Sequence, residues 1–137
     1  MSAKEFTCVV CPNGCSIVVD IDDDETPIVT GIQGNTCKRG AEWARQEVEN
    51  PMRTISSSVS VRGGDSPLAS VRTSRPIPLA KIRRVMEEIR KISVNAPVAI
   101  GDVVIARAAG CDTEIVVTRN VRQKKDAPAK HPYMDFP

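Results

Sequence analysis

Near the start of the chain, Ser16-Ile17-Val18-Val19-Asp20-Ile21 and Pro27-Ile28-Val29-Thr30-Gly31-Ile32 are rich in β-branched residues and flank an acidic turn. Such runs suit a pleated, half-buried surface, so they predict a β-hairpin. A short helix is predicted over residues 40–49, ending before Asn50-Pro51 because a residue that precedes proline is pushed out of the α region. From Met52 the rhythm changes. Ile55–Arg62 and Leu68–Thr73 read as strands on either side of the loop Gly63-Gly64-Asp65-Ser66-Pro67. Pro76-Ile77-Pro78 then leads into a helix predicted over Leu79–Ile92, with Leu79, Ile82, Met86 and Ile89 at helical spacing and Val85 beside them. Glu87 and Lys91 stand four apart, and Arg90 with Lys91 suits the negative end of the helix dipole. Val94–Ile105, broken at Pro97 and Gly101, and Glu114–Val121 supply further short strands. Arg122–Pro137, with three Pro and three Lys, reads as a tail.

Composition adds limits to this pattern. The 137 residues are 41% apolar and 26% charged, an ordinary globular balance. With one Trp, one Tyr and two Phe, the core must be built from Val, Ile, Leu and Ala. Nineteen basic residues against seventeen acidic ones leave a net charge of +2, too balanced for a dedicated nucleic-acid binder. No apolar run approaches the ~20 residues of a membrane span. The first residues, Met-Ser-Ala-Lys-Glu-Phe-Thr, lack the hydrophobic region of a signal peptide, so the expected location is the cytoplasm. Collagen, coiled coil and secreted disulfide scaffold are excluded as readings.

The chemistry is concentrated in the cysteines. There are five, an odd number that fits a reducing compartment better than a set of disulfides. Cys8, Cys11 and Cys15 fall in Cys8-Val9-Val10-Cys11-Pro12-Asn13-Gly14-Cys15, and a fourth opens Cys37-Lys38-Arg39-Gly40. Three thiolates from one tight loop, with a fourth from a distant return, are a common way to surround an iron–sulfur cubane. The predicted hairpin carries the chain from the three-cysteine loop back to Cys37, which supports a metal site. Lys38 and Arg39 place positive charge beside thiolates whose combined negative charge needs compensation. The candidate metal ligands are therefore Cys8, Cys11, Cys15 and Cys37, with Lys38 and Arg39 behind them.

Two other chemistries remain open on the residues alone. Four thiolates also satisfy a tetrahedral Zn2+ site. Zinc ribbons, however, usually present two separate CxxC knuckles, whereas the pattern here is three plus one. A redox dithiol at Cys8 and Cys11 is the third option, but it leaves Cys15 and Cys37 without a role.

The motifs carry two resemblances. Residues 8–53 contain C-x2-C-P-x-G-C, then Gly34-x-x-Cys37-x-Arg39-Gly40, then Asn50-Pro51-x-Arg53. This segment resembles the N-terminal four-iron–four-sulfur (4Fe-4S) domain of molybdopterin oxidoreductases of the formate dehydrogenase type. That resemblance implies a [4Fe-4S] cluster, and it implies for Arg39 a position between cluster and pterin. The several-hundred-residue body that binds molybdopterin is absent, so this chain is no complete molybdenum enzyme. Over nearly its whole length, in Cys8–Cys15, Gly34–Ala44, Glu49–Arg53, Val71–Pro78, Ala96–Val103 and Ile115–Arg119, the chain also resembles a prokaryotic family of unknown function described by its CxxC pairs. Members of that family tend to be encoded beside FAD-dependent dehydrogenases resembling anaerobic glycerol-3-phosphate dehydrogenase. The resemblance implies a metal-binding accessory or electron-transfer subunit of such an enzyme.

The expected fold class is thus α+β: a small four-cysteine metal-binding β-hairpin subdomain over 1–53, an α+β accessory subdomain over 54–121 with one amphipathic helix and short strands, and the tail 122–137. The expected function is 4Fe-4S electron transfer, with a structural zinc module lacking redox activity as the alternative. Nucleic acid and membrane are not expected partners. No nucleophile–base set or paired carboxylates stand out, so catalysis by the chain alone is not expected. The acidic run Asp20–Glu25 reads as a solvated turn, and Arg72, Arg75, Arg83 and Arg84 as ordinary surface charge. Cys111 reads as a partly buried free thiol. His131, the single histidine, offers no triad.

Overall fold

The structure is a computed structural model that describes residues 1–125; the expected tail from 126 to 137 lies outside the described residues. The fold is mixed α+β. It divides into two compact units, Met1–Arg53 and the chain from Thr54 onward.

The first unit holds a three-stranded antiparallel sheet of β1 (Ser2–Thr7), β2 (Ser16–Asp22) and β3 (Ile28–Gln33), in that order, followed by α1 (Lys38–Glu49) and the two-residue strand β4 (Met52–Arg53). Strict alternation along β2 sends Ile17, Val19 and Ile21 into the core and leaves Ser16 and Val18 outside. These residues join Cys8, Val29 and Ala44 in one small hydrophobic cluster. Phe6 and Trp43 close its edge, ring edge to ring face at 6.1 Å. A bulge lies between Asp20 and Ile21, where Asp20 faces Gly31 but Ile21 faces Val29. The extra residue, Thr30, donates its hydroxyl to the Asp20 carbonyl at 3.2 Å.

Two features of this unit differ from the sequence expectation. The hairpin is the inner and outer part of a three-stranded sheet, because Ser2–Thr7 pairs with β2 along its whole length. That segment faces solvent at most positions and has a single large apolar residue, Phe6, so it carries no hydrophobic alternation. Helix α1 also begins two residues before the expected position, at Lys38, which puts Cys37 directly in front of its first turn.

In the second unit, β5 (Ser56–Arg62) and β6 (Leu68–Thr73) form an antiparallel hairpin. After the two-residue strand β7 (Ile77–Pro78), a 3-10 turn over Leu79–Lys81 leads into α2 (Ile82–Lys91). Strands β8 (Ser93–Asn95), β9 (Val103–Ile105) and β10 (Ile115–Val117) complete a five-stranded sheet of order β8-β5-β6-β10-β9, in which only β8 runs parallel to its neighbour. Val85 and Ile89 of α2 are buried and Ile82 and Met86 are half-buried, while Leu79 is exposed. The core around them is Val, Ile and Ala, as the scarcity of aromatics requires. Glu87 pairs with Arg83 at 3.2 Å rather than with Lys91. Arg122–Lys125 belong to the fold rather than to a tail: the Arg122 carbonyl accepts from Asp65 N–H at 2.9 Å, and Lys124 N–H donates to the Gly63 carbonyl at 2.8 Å.

Among the described residues, no helix is long and apolar enough to cross a membrane.

Candidate metal centre

The three-cysteine loop is the connection between β1 and β2. Cys8 follows the last residue of β1 and Cys15 precedes the first of β2, and Cys8 N–H donates to the Cys15 carbonyl at 2.8 Å. This bond continues the ladder one pair beyond the strands and pinches the loop at its base. Gly14 turns the chain with φ of +58°, a left-handed conformation that costs other L-residues about 1–2 kcal/mol.

The fourth cysteine is brought back by a close approach of backbones. Gly34 has φ of +83°, and a β-carbon there would stand 2.2 Å from the Ser16 carbonyl oxygen. Only glycine lets the β3–α1 connection pass so near the start of β2, one residue beyond Cys15. Three residues later stands Cys37, extended at φ −142°, with its side chain free of any cap hydrogen bond. Asn35 Nδ2 holds the Cys37 carbonyl at 3.3 Å.

As a result Cys8, Cys11, Cys15 and Cys37 all line one cavity of about 190 Å³, together with Thr36 and Arg39. Cys8 is buried, Cys11 and Cys15 are half-buried and Cys37 is exposed, so the cavity has a closed floor and an open side. All five cysteines of the chain are free thiols. The first turn of α1 has no acidic residue to offset its positive end, which therefore favours negative charge beside Cys37. Cys15 has the most specific surroundings. Its sulfur lies 3.0 Å from the Thr36 hydroxyl. That contact, then the Thr36 backbone N–H, draws the Cys15 thiol below its ordinary pKa against the opposing effect of desolvation.

A lone tetrahedral zinc ion needs four sulfurs at ~2.3 Å from one point. Among the described residues, no group of three or more Cys, His, Asp or Glu side chains is drawn together tightly enough to hold a metal ion of either kind.

The other singled-out residues are dispersed. Arg39 lines the cavity, whereas Lys38 is exposed and pairs with Glu42 at 3.6 Å. Arg53 is held by Glu47 of α1 and is not part of the cavity wall; this carboxylate raises the guanidinium pKa further. Cys111 is buried in the second unit, its sulfur 4.0 Å from the Ala109 carbonyl. Arg75 and Arg83 are engaged by Asp112 and Glu87, and Arg72 donates to the Thr73 carbonyl. His131 lies outside the described residues. Thr36 is the residue that the sequence pattern alone did not reveal. Its one linear signal is a hydroxyl immediately before Cys37, and a hydroxyl is not informative until the β3–α1 connection is folded onto Cys15.

A family model described as a protein of unknown function, DUF1667, matches residues 38–119. The chain belongs to that family. The matched stretch begins one residue after Cys37, so it takes in Lys38, Arg39 and Cys111 but none of the four clustered cysteines. The fold is similar to the NMR structure of Clostridium perfringens protein CPE0013, at 20% sequence identity and a TM-score of 0.50, over 58% of this chain and 95% of that one. No curated protein matches the chain.

Proposed function

We propose that the first unit binds a [4Fe-4S] cluster through Cys8, Cys11, Cys15 and Cys37, and that the chain is an electron-transfer protein or accessory subunit. The observation that carries this reading is the shared cavity: four free thiols from the β1–β2 loop and the residue in front of α1 line one space of about 190 Å³. A cubane presents one iron at each of four corners, and each thiolate takes its own corner. Three cysteines from one loop and a fourth from a distant return suit that donor set better than the two separate CxxC knuckles usual in zinc ribbons. When bound, such a cluster supplies one-electron chemistry.

The residues of the chain do the rest. The apolar floor at Ile17 and the buried Cys8 keep water from one side, and exclusion of water is one control on potential. Arg39 and the positive end of α1 offset the negative charge of four thiolates. The exposed side at Cys37 gives a partner access to the site. In this reading the partner is an FAD-dependent dehydrogenase of the glycerol-3-phosphate type, a choice that rests on the resemblance of the chain to proteins encoded beside such enzymes.

The test is iron, zinc and acid-labile sulfide analysis of protein purified without oxygen, with visible spectra before and after dithionite. About four iron and four sulfide per chain and a brown colour that bleaches on reduction are expected. One zinc per chain and a colourless, dithionite-insensitive sample would replace electron transfer with a structural zinc module whose metal acts through folding.

A further inference from the structure

The Thr36 hydroxyl lies 3.0 Å from Cys15 Sγ across a sequence separation of 21 residues. In the free thiol either atom can donate. Once the sulfur is a metal-bound thiolate it has no proton left, so the hydroxyl must be the donor and the sulfur the acceptor. The contact is held by the backbone rather than by a flexible side chain alone. Thr36 follows Asn35, whose side chain fixes the Cys37 carbonyl, and it lies two residues after Gly34, which is locked against the Ser16 carbonyl. Thr is also stiff at χ1, so little freedom is lost in keeping the hydroxyl aimed.

We infer that Thr36 is a positioning residue that raises the reduction potential of the four-cysteine site, through a hydrogen bond from its hydroxyl to the Cys15 sulfur. This deepens, and rests on, the [4Fe-4S] reading above. In the step concerned a reduced flavin of the partner loses one electron and the site gains it. No proton moves and no bond to sulfur breaks, so the site becomes more negative by one unit. A donor fixed on a ligand sulfur stabilises the more negative state more than the less negative one, which favours reduction.

The experiment compares wild type with Thr36→Val and Thr36→Ser, all purified without oxygen as the full chain. Iron and sulfide content are measured, and potentials are then obtained by spectroelectrochemical titration. Thr36→Val keeps the shape and removes the donor, so it is expected to retain the cluster and to show a more negative potential. Thr36→Ser restores the hydroxyl and is expected to return towards wild type. An intact cluster with the same potential in all three proteins overturns the inference and leaves the cluster reading standing. Absence of iron from wild type overturns both. If Thr36→Val alone loses its cluster, the potentials of Thr36→Ser and Thr36→Ala decide: Ala more negative than Ser supports the inference, and equal values overturn it.

Discussion

The Cys8 sulfur lies against the backbone of Gly40: a β-carbon added to that glycine would stand 3.5 Å from Cys8 Sγ and 3.4 Å from Ile17 Cδ1. Helix α1 therefore forms part of the wall behind the most buried of the four thiols. The contact leaves room for a methyl group and for nothing larger. Gly40→Ala is expected to keep its iron and to melt at the wild-type temperature or above it, since alanine favours helix by up to about 1 kcal/mol over glycine. Gly40→Leu is expected to displace Cys8 Sγ and lose most of the iron. Iron content beside thermal unfolding distinguishes the two, and full iron in Gly40→Leu would show that the α1 wall does not constrain the site.

Replacement of cysteines one at a time separates the site from the remaining thiol. Cys8→Ser, Cys11→Ser, Cys15→Ser and Cys37→Ser are each expected to lower iron and sulfide per chain. Cys111→Ala is expected to leave both unchanged, because Cys111 is packed in the other unit as a small apolar side chain. Loss of iron on changing Cys111, or its retention in all four other variants, would contradict the ligand assignment.

The return of Cys37 depends on a single glycine. Gly34→Ala forces a left-handed φ on a residue with a β-carbon and drives that carbon to 2.2 Å from the Ser16 carbonyl. The left-handed strain and the overpacking together are expected to cost about 2–4 kcal/mol. Trp43, the one tryptophan of the chain, packs on the core of this unit, so denaturation followed by its fluorescence reads the effect directly. Unchanged stability would mean that the connection relaxes, and that the close approach is not what sets the position of Cys37.

Some of this arrangement is readable in the linear sequence and some is not, for identifiable reasons. The alternation in Ser16–Asp22 and the spacing of Val85 and Ile89 are inward-facing patterns, which periodicity reports well. Strand β1 is missed because an edge strand with polar residues on both faces has no such pattern. The four cysteines are legible as a set, since residue type and spacing carry their chemistry. Their division into a buried Cys8 and an exposed Cys37, and the hydroxyl of Thr36 on Cys15, arise from the β1–β2 pairing and the Gly34 approach. Glu87 likewise has two partners at helical spacing, Arg83 and Lys91, and spacing alone does not choose between them.

In the second unit the turn after β9 has a strained residue whose N–H is held by helix α2. Ala109 sits at φ +50° and is followed by Gly110 at φ +70°. Its N–H is directed to the Glu88 carboxylate of α2, with Oε2 at 2.8 Å. The methyl of Ala109 is buried in the same core as Val85 and Ile89. Glu88 thus ties the turn to the helix and satisfies a donor that would otherwise lie partly buried without a partner. Glu88→Ala removes the acceptor and is expected to destabilise the protein by about 1–3 kcal/mol in urea denaturation followed by circular dichroism. Glu88→Gln keeps a carbonyl oxygen at the same reach and is expected to lose less. Equal losses in the two variants would assign the effect to the charge of Glu88 rather than to its bond with Ala109, and no loss in either would free the turn from the helix altogether.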